Sequence, residues 1–240
     1  MRSARDRGCM AVVAMPLIAA ALLIACEPAG SVATPQGSGE HAYAICPPSG
    51  ELPEAATNDR AVEILDARLV SLGVETSSVG VGAACIDVTA STTSAAQDAA
   101  VRAAILGTGT ITLVAPRADG ATTSVGQAPP DGAAPVLTGP DFRSAEVVVE
   151  TSTGGPALAI TFSNAGSATI AGWSRLHPGE ATALVVDGVV VALPSANELR
   201  ADGMTLSLGA APQVPLETLA AMLNSGPLPP EWAQPKVPQG

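Results

Sequence analysis

Between residues 41 and 115 the spacing of apolar residues switches between a period near two and a period near three and a half. The order of those switches limits the fold more than any other feature of the chain. His41 to Cys46 is short and apolar and reads as a strand, followed by a Pro-rich loop over 47–56. Val62, Leu65, Leu69 and Leu72 then recur at three- and four-residue intervals, which puts them on one face of a helix. Asn58 or Asp59 can cap its start, and Gly73 closes it, because glycine accepts the left-handed conformation after a last turn. Val74–Val81 and Ala84–Val88 read as a hairpin, Ala95–Leu106 as a second helix ended by Gly107, and Thr110–Ala115 as a fourth strand. The order β-α-β-β-α-β predicts a ferredoxin-like base over 41–116.

Residues 117–135 are poor in periodicity and rich in Gly, Pro and Ala, and read as a linker to a second unit over 136–230. There, Thr138-Gly139-Pro140-Asp141 is a turn leading to a short helix, and Ala145–Thr151 and Ala157–Phe162 are strands around Gly154-Gly155-Pro156. Asn164 is placed to cap a helix through Leu176. Ala181–Asp187 and Val189–Leu193 flank Asp187-Gly188, a strong hairpin signal, and Met204–Leu208 is another strand. Pro215 opens a last helix through Asn224, with Gly226 after it, and 231–240 is a C-terminal tail. The predicted class is α+β with antiparallel strands throughout. Aromatic residues make up only 2% of the chain, so the core must be built from many small aliphatic contributions.

The N-terminal 25 residues have the three parts of a secretory signal peptide: Arg2, Arg5 and Arg7, an apolar run from Met10 to Ala25, and a small-residue exit. The run is shorter than the ~20 residues that cross a bilayer, and Pro16 interrupts it. Leu23-Ile24-Ala25-Cys26 resembles a lipobox, in which the cysteine is alkylated with diacylglycerol and becomes the new N-terminus. The alternative is an ordinary secreted protein cleaved nearby. Lipidation of Cys26 predicts an extracytoplasmic location with membrane attachment through acyl chains, and residues 26–40, rich in Pro, Gly and Ser, read as a flexible tether. Cys9 would leave with the signal, so Cys46 and Cys85 remain as a pair in an oxidising compartment, which favours a disulfide over two free buried thiols.

The chain carries a formal charge of −11; loss of residues 1–25 removes three basic residues and one acidic residue, leaving −13. Lys236 is its single lysine. Nothing here forms the basic patch that a nucleic-acid backbone requires, so nucleic acid is excluded as a partner. The same charge is repelled by anionic headgroups, which leaves the lipid as the membrane attachment.

Chemistry is sparse. His41 borders the tether and His177 lies in the turn His177-Pro178-Gly179; neither stands at triad or metal-site spacing. There is no Walker loop and no G-x-S-x-G motif. Gly107-Thr108-Gly109 follows a helix instead of opening one, so it does not present a phosphate cradle. The expectation is a protein without catalytic residues, cofactor or metal.

The second unit is similar to the head of the first large periplasmic domain of SecD, the accessory subunit of the bacterial Sec translocase. Four segments carry the likeness in order: Leu137-Thr138-Gly139-Pro140-Asp141-Phe142; Ala159–Gly166, where a strand enters a helix through Asn164-Ala165-Gly166; Ala183–Pro194 around Val186-Asp187-Gly188-Val189; and Leu219–Pro229 around Asn224-Ser225-Gly226-Pro227. The first unit resembles the base of that domain at Ala61–Val74, which includes Arg68, at Ile86-Asp87-Val88, and at Leu106–Leu113. The resemblance implies a ferredoxin-like base carrying an α+β head. SecD also has six transmembrane helices with intramembrane acidic residues; this chain ends at Gly240, so the proton-driven part is not expected here. The stretch that opens the family's base has only Gly37-Ser38-Gly39-Glu40 as a counterpart.

The resemblance implies contact with polypeptide clients or Sec translocase components, with edge strands around Ala181–Leu193 as the expected place for a peptide strand to add. The other reading is an envelope scaffold that binds one folded membrane partner.

Overall fold

The computed structural model describes residues 38–115, 123–151, 153–207 and 214–232. The signal peptide, Cys26, most of the tether, the start of the linker, Leu208 and residues 233–240 lie outside the described residues. The described residues form one compact unit. Among the described residues, no helix is long and apolar enough to cross a membrane.

The base sheet contains β1 (Gly39–Ile45), β2 (Ser77–Val81) and β3 (Ile86–Thr92) in the order β1-β3-β2, all neighbours antiparallel. β3 shows why it takes the centre: Ile86, Val88, Ala90 and Thr92 are buried, and the residues between them are more exposed. That period-two face packs against α1 (Ala55–Ser71) and α2 (Ala95–Leu106). α1 starts earlier than Asn58 or Asp59 would place it. The Thr57 and Asn58 N–H groups both donate to the Glu54 carbonyl, and the Asn58 side chain is buried and donates to the Pro53 carbonyl at 3.0 Å. Asn58 therefore ties down the incoming loop from within the helix. Its buried stripe centres on Ala61, Ile64, Leu65, Arg68 and Leu69, with Val62 and Leu72 at its margins. α2 is capped by Ser94, whose hydroxyl accepts from the Gln97 N–H.

The element order is the expected β-α-β-β-α-β, but the fourth strand leaves the base. A second split unit would lay it beside β1. Instead β4 (Ile111–Val114) pairs with β8 (Ala183–Val186) on one side and β5 (Pro135–Thr138) on the other, in a sheet that β9 (Val189–Ala192) completes in the order β5-β4-β8-β9. The cause lies in its side chains. Ile111 and Leu113 enter the head core while Val114 faces a separate apolar cluster with Ala183, Val185 and Val190, so the strand needs cover on both faces. β9 (Val189–Ala192) follows β8 through Asp187-Gly188, both at positive φ (49° and 70°), as a tight hairpin requires.

The head's second sheet is β10-β7-β6, from β6 (Phe142–Val149), β7 (Pro156–Phe162) and β10 (Gly203–Leu206). The short helix expected after Pro140 is a single 3-10 turn over Gly139–Asp141, and β6 follows directly. α3 (Asn164–Leu176) is capped by Ser163, whose hydroxyl accepts from the Gly166 N–H, one residue earlier than the expected cap at Asn164. Leu137, Phe142, Leu158, Phe162, Ile170 and Leu184 belong to one core shared by both sheets and α3.

α4 (Leu216–Ser225) joins the halves. Pro215 sits at its N-cap position, and the helix touches α1 and α2 on one side and β6 and β7 on the other. Beyond it the chain returns to the base: Leu228 and Trp232, the latter 1% exposed, are in the base core. The base and head boundaries predicted along the chain are therefore crossed twice in space, by β4 entering the head and by 228–232 leaving it. The segment read as a linker is also partly built in, since Gly126 and Gln127 bond to Val190 on β9.

Candidate functional site

Three arrangements of polar side chains organise the described residues. The first is Arg68, on the buried stripe of α1 and fully enclosed. Its guanidinium donates to the carbonyls of Ala104 (2.7 Å), Gly107 (2.6 Å), Thr108 (3.1 Å) and Gly226 (3.0 Å) and to the Ser225 hydroxyl (3.1 Å). These acceptors include the C-terminal carbonyls of α2, which no helical N–H can satisfy. Burial pulls its pKa down to about 10, against the opposing charge of Asp187, so it stays charged at neutral pH. Asp187, at the β8–β9 turn, accepts from the Thr108 hydroxyl and from the Thr110 N–H at 2.9 Å. Gly109, at φ +78°, lies against the guanidinium so closely that a Cβ would overlap Nη2. One buried cation thus pins together α1, the turn after α2, and the end of α4, and the turn in contact with it carries Asp187.

The second is a polar cluster under β1. The Asp98 carboxylate on α2 is buried, accepts from the Tyr43 hydroxyl at 2.5 Å, and lies 3.5 Å from Arg102 and 4.0 Å from His41 Nε2. Burial works to raise its pKa, but the Tyr43 hydrogen bond and the charges of Arg102 and His41 outweigh it and hold the carboxyl below its ordinary value. Burial and the same carboxylate push the Tyr43 phenol up, so it remains a donor. The pattern offered a partial signal: Asp98, Val101 and Ile105 fall on one α2 face, which places a carboxylate among core residues. Its partners on β1, more than fifty residues away, carry no such mark. His177 stacks on Trp173 at 4.8 Å and meets Glu180 at 3.1 Å, so the two histidines are not brought together. Among the described residues, no group of three or more His, Cys, Asp or Glu side chains gathers as a metal site.

The third is the disulfide. Cys46 and Cys85 are bonded, with Cα atoms 4.2 Å apart, closing β1 onto β3. The edge expected for peptide addition, Ala181–Leu193, is not open along its length: β8 is internal to its sheet, and both backbone groups of Val190 on β9 are taken by Gly126 and Gln127.

Residues 120–230 match the family model described as the SecDF P1 head subdomain. The chain resembles the P1 domain of SecDF. A crystal structure of SecDF in its super-membrane-facing form superposes with a TM-score of 0.62 at 21% identity, covering 80% of this chain and 29% of that one. A second structure, from work on SecDF as a membrane component that enhances protein export, gives a TM-score of 0.59 at 18% identity, covering 79% of this chain and 95% of that one. This chain therefore spans under a third of the first SecDF chain and almost all of the second. No curated sequence matches it. Four of the seven segments that carry the likeness to SecD meet at one place: Arg68, Gly107-Thr108-Gly109, Asp187 and Ser225-Gly226 are separate in sequence and together form the Arg68 junction.

Proposed function

We propose that the chain is a binding module outside the cytoplasmic membrane that contacts polypeptide during Sec-type protein export, held to the membrane by a lipid on Cys26. The observation that carries this reading is the match of residues 120–230 to the SecDF P1 head, supported by the SecDF-like fold over four fifths of the chain. The disulfide supports an oxidising compartment. In this reading the module acts by binding; His41 lies in the Asp98 cluster, and His177 against Trp173 and Glu180. The full chain in detergent should bind a reduced, permanently unfolded protein in calorimetry and slow its aggregation. No heat of binding and unchanged aggregation would contradict the reading. A Cys26→Ser variant should leave the membrane fraction with its fold intact; retention there would contradict the lipid anchor.

A further inference from the structure

The sheets of this domain end in edges, and most of them are closed. On β6 the Asn224 side chain donates to the Ala145 carbonyl and accepts from the Ala145 N–H, both at 2.8 Å, so its amide takes the place of a neighbouring strand at that one residue. On β9 the two backbone groups of Val190 are bonded to Gly126 and Gln127 at 2.8 Å. β5 is four residues long and begins at Pro135; β10 is four residues long, and Gly203 at its start is bonded back to Arg200. Short strands, proline and local cover are the devices that keep a sheet edge from pairing with another chain.

Among the described residues β1 has none of these. It runs for seven residues without proline, lysine or register break, at the outside of the base sheet, and no strand among the described residues pairs with its outer side. The strand that a full split arrangement would lay there, β4, is in the head. β2, at the other edge, is five residues long and contains Gly80, which weakens pairing.

The register says which groups face outward. Ile45 pairs with Ile86, so Cys46 opposes Cys85, and their 4.2 Å Cα spacing is that of a pair that exchanges no backbone hydrogen bonds. Counting back, the odd-numbered residues of β1 bond to β3, and Glu40, Ala42 and Ala44 turn their N–H and C=O groups outward. The sheet face beside them carries these three exposed residues and their partners on β3, Ser91, Thr89 and Asp87. That face has two carboxylates, no cation and little bulk, in a chain of net charge −11.

We propose that the outer edge of β1 is a strand-addition site that takes an extended, basic polypeptide segment through main-chain hydrogen bonds. This rests on the reading of the domain as a polypeptide-binding module and names the place on it. Lysine or arginine at alternate positions of the added segment faces Glu40, while the backbone pairs with Glu40, Ala42 and Ala44.

The test uses the full chain in detergent and a fluorescent nine-residue peptide alternating lysine and valine. Two further versions carry N-methyl groups on one or the other alternate set of amides. Strand addition predicts that one methylated set binds at least about tenfold more weakly while the other binds nearly as well as the parent, because only one set donates to β1. Ala42→Pro, which removes an outward N–H, should weaken the parent peptide similarly with unchanged thermal unfolding. The methylated peptides decide alone where that variant does not fold. Equal affinity of the two methylated sets, an equally tight glutamate–valine peptide, or no peptide binding beside intact binding of an unfolded protein would overturn the β1 site and leave the functional reading standing. Failure to bind both peptide and unfolded protein would overturn both. A wild-type dimer in sedimentation that Ala42→Pro dissociates would give the edge to a second copy and overturn the proposal.

Discussion

Arg68 shows how one side chain can define a joint. It satisfies four carbonyls and a hydroxyl from two separate segments, in a place with no access to water. Arg68→Ala leaves those acceptors unpaired, and a loss of about 3–5 kcal/mol is expected in urea unfolding. Arg68→Lys should recover only part of it, because a single ammonium does not reproduce the guanidinium fork. Asp98 gives a residue-scale prediction that depends on pH. Its pKa is lowered in the folded state, so its contribution is present above the unfolded value near ~3.9 and is lost as pH falls through the folded one. Asp98→Asn should be less stable than wild type by about 1–3 kcal/mol at pH 7, with the gap closing toward pH 3. Parallel stability curves across that range would show that the carboxylate charge contributes nothing. Arg68 was visible in the sequence as an arginine on an apolar helical stripe, but its acceptors, 36 to 158 residues away, were not.

At the scale of elements, the helices and the β8–β9 hairpin were legible because their signals are local: an i, i+3, i+4 stripe for α1, a Gly after each of three helices, Asp187-Gly188 at a turn. Sheet membership was not, since β4 reads equally well as a strand of either sheet. Its place follows only from the two apolar surfaces that the head provides. The same limit applies to edges. Asn224 lies in the last turn of α4 and looks like an ordinary helix-end residue, yet it closes β6 through Ala145. Asn224→Ala should cost about 1–3 kcal/mol in stability and, by opening β6 beside the exposed Val147 and Val149, raise aggregation in light scattering. If stability falls while aggregation does not change, the amide serves packing alone.

Across the whole molecule, the base and head are one structure tied by β4, α4 and the return of Leu228 and Trp232 to the base core. Four of the segments that resemble SecD, around Arg68, Thr108, Asp187 and Gly226, sit at that tie. In the proposed reading, polypeptide contact falls on a surface that the joint holds in place, the base around β1. The measurement that tests this most directly is photo-crosslinking in living cells, with the reactive side chain at Ala44 in the base or at Val149 in the head, where the native residues are exposed. Adducts with many different exported polypeptides are expected at one or both positions, disappearing when export is stopped. Adducts with no exported polypeptide at either position, or with a single folded protein regardless of export, would contradict the proposed reading.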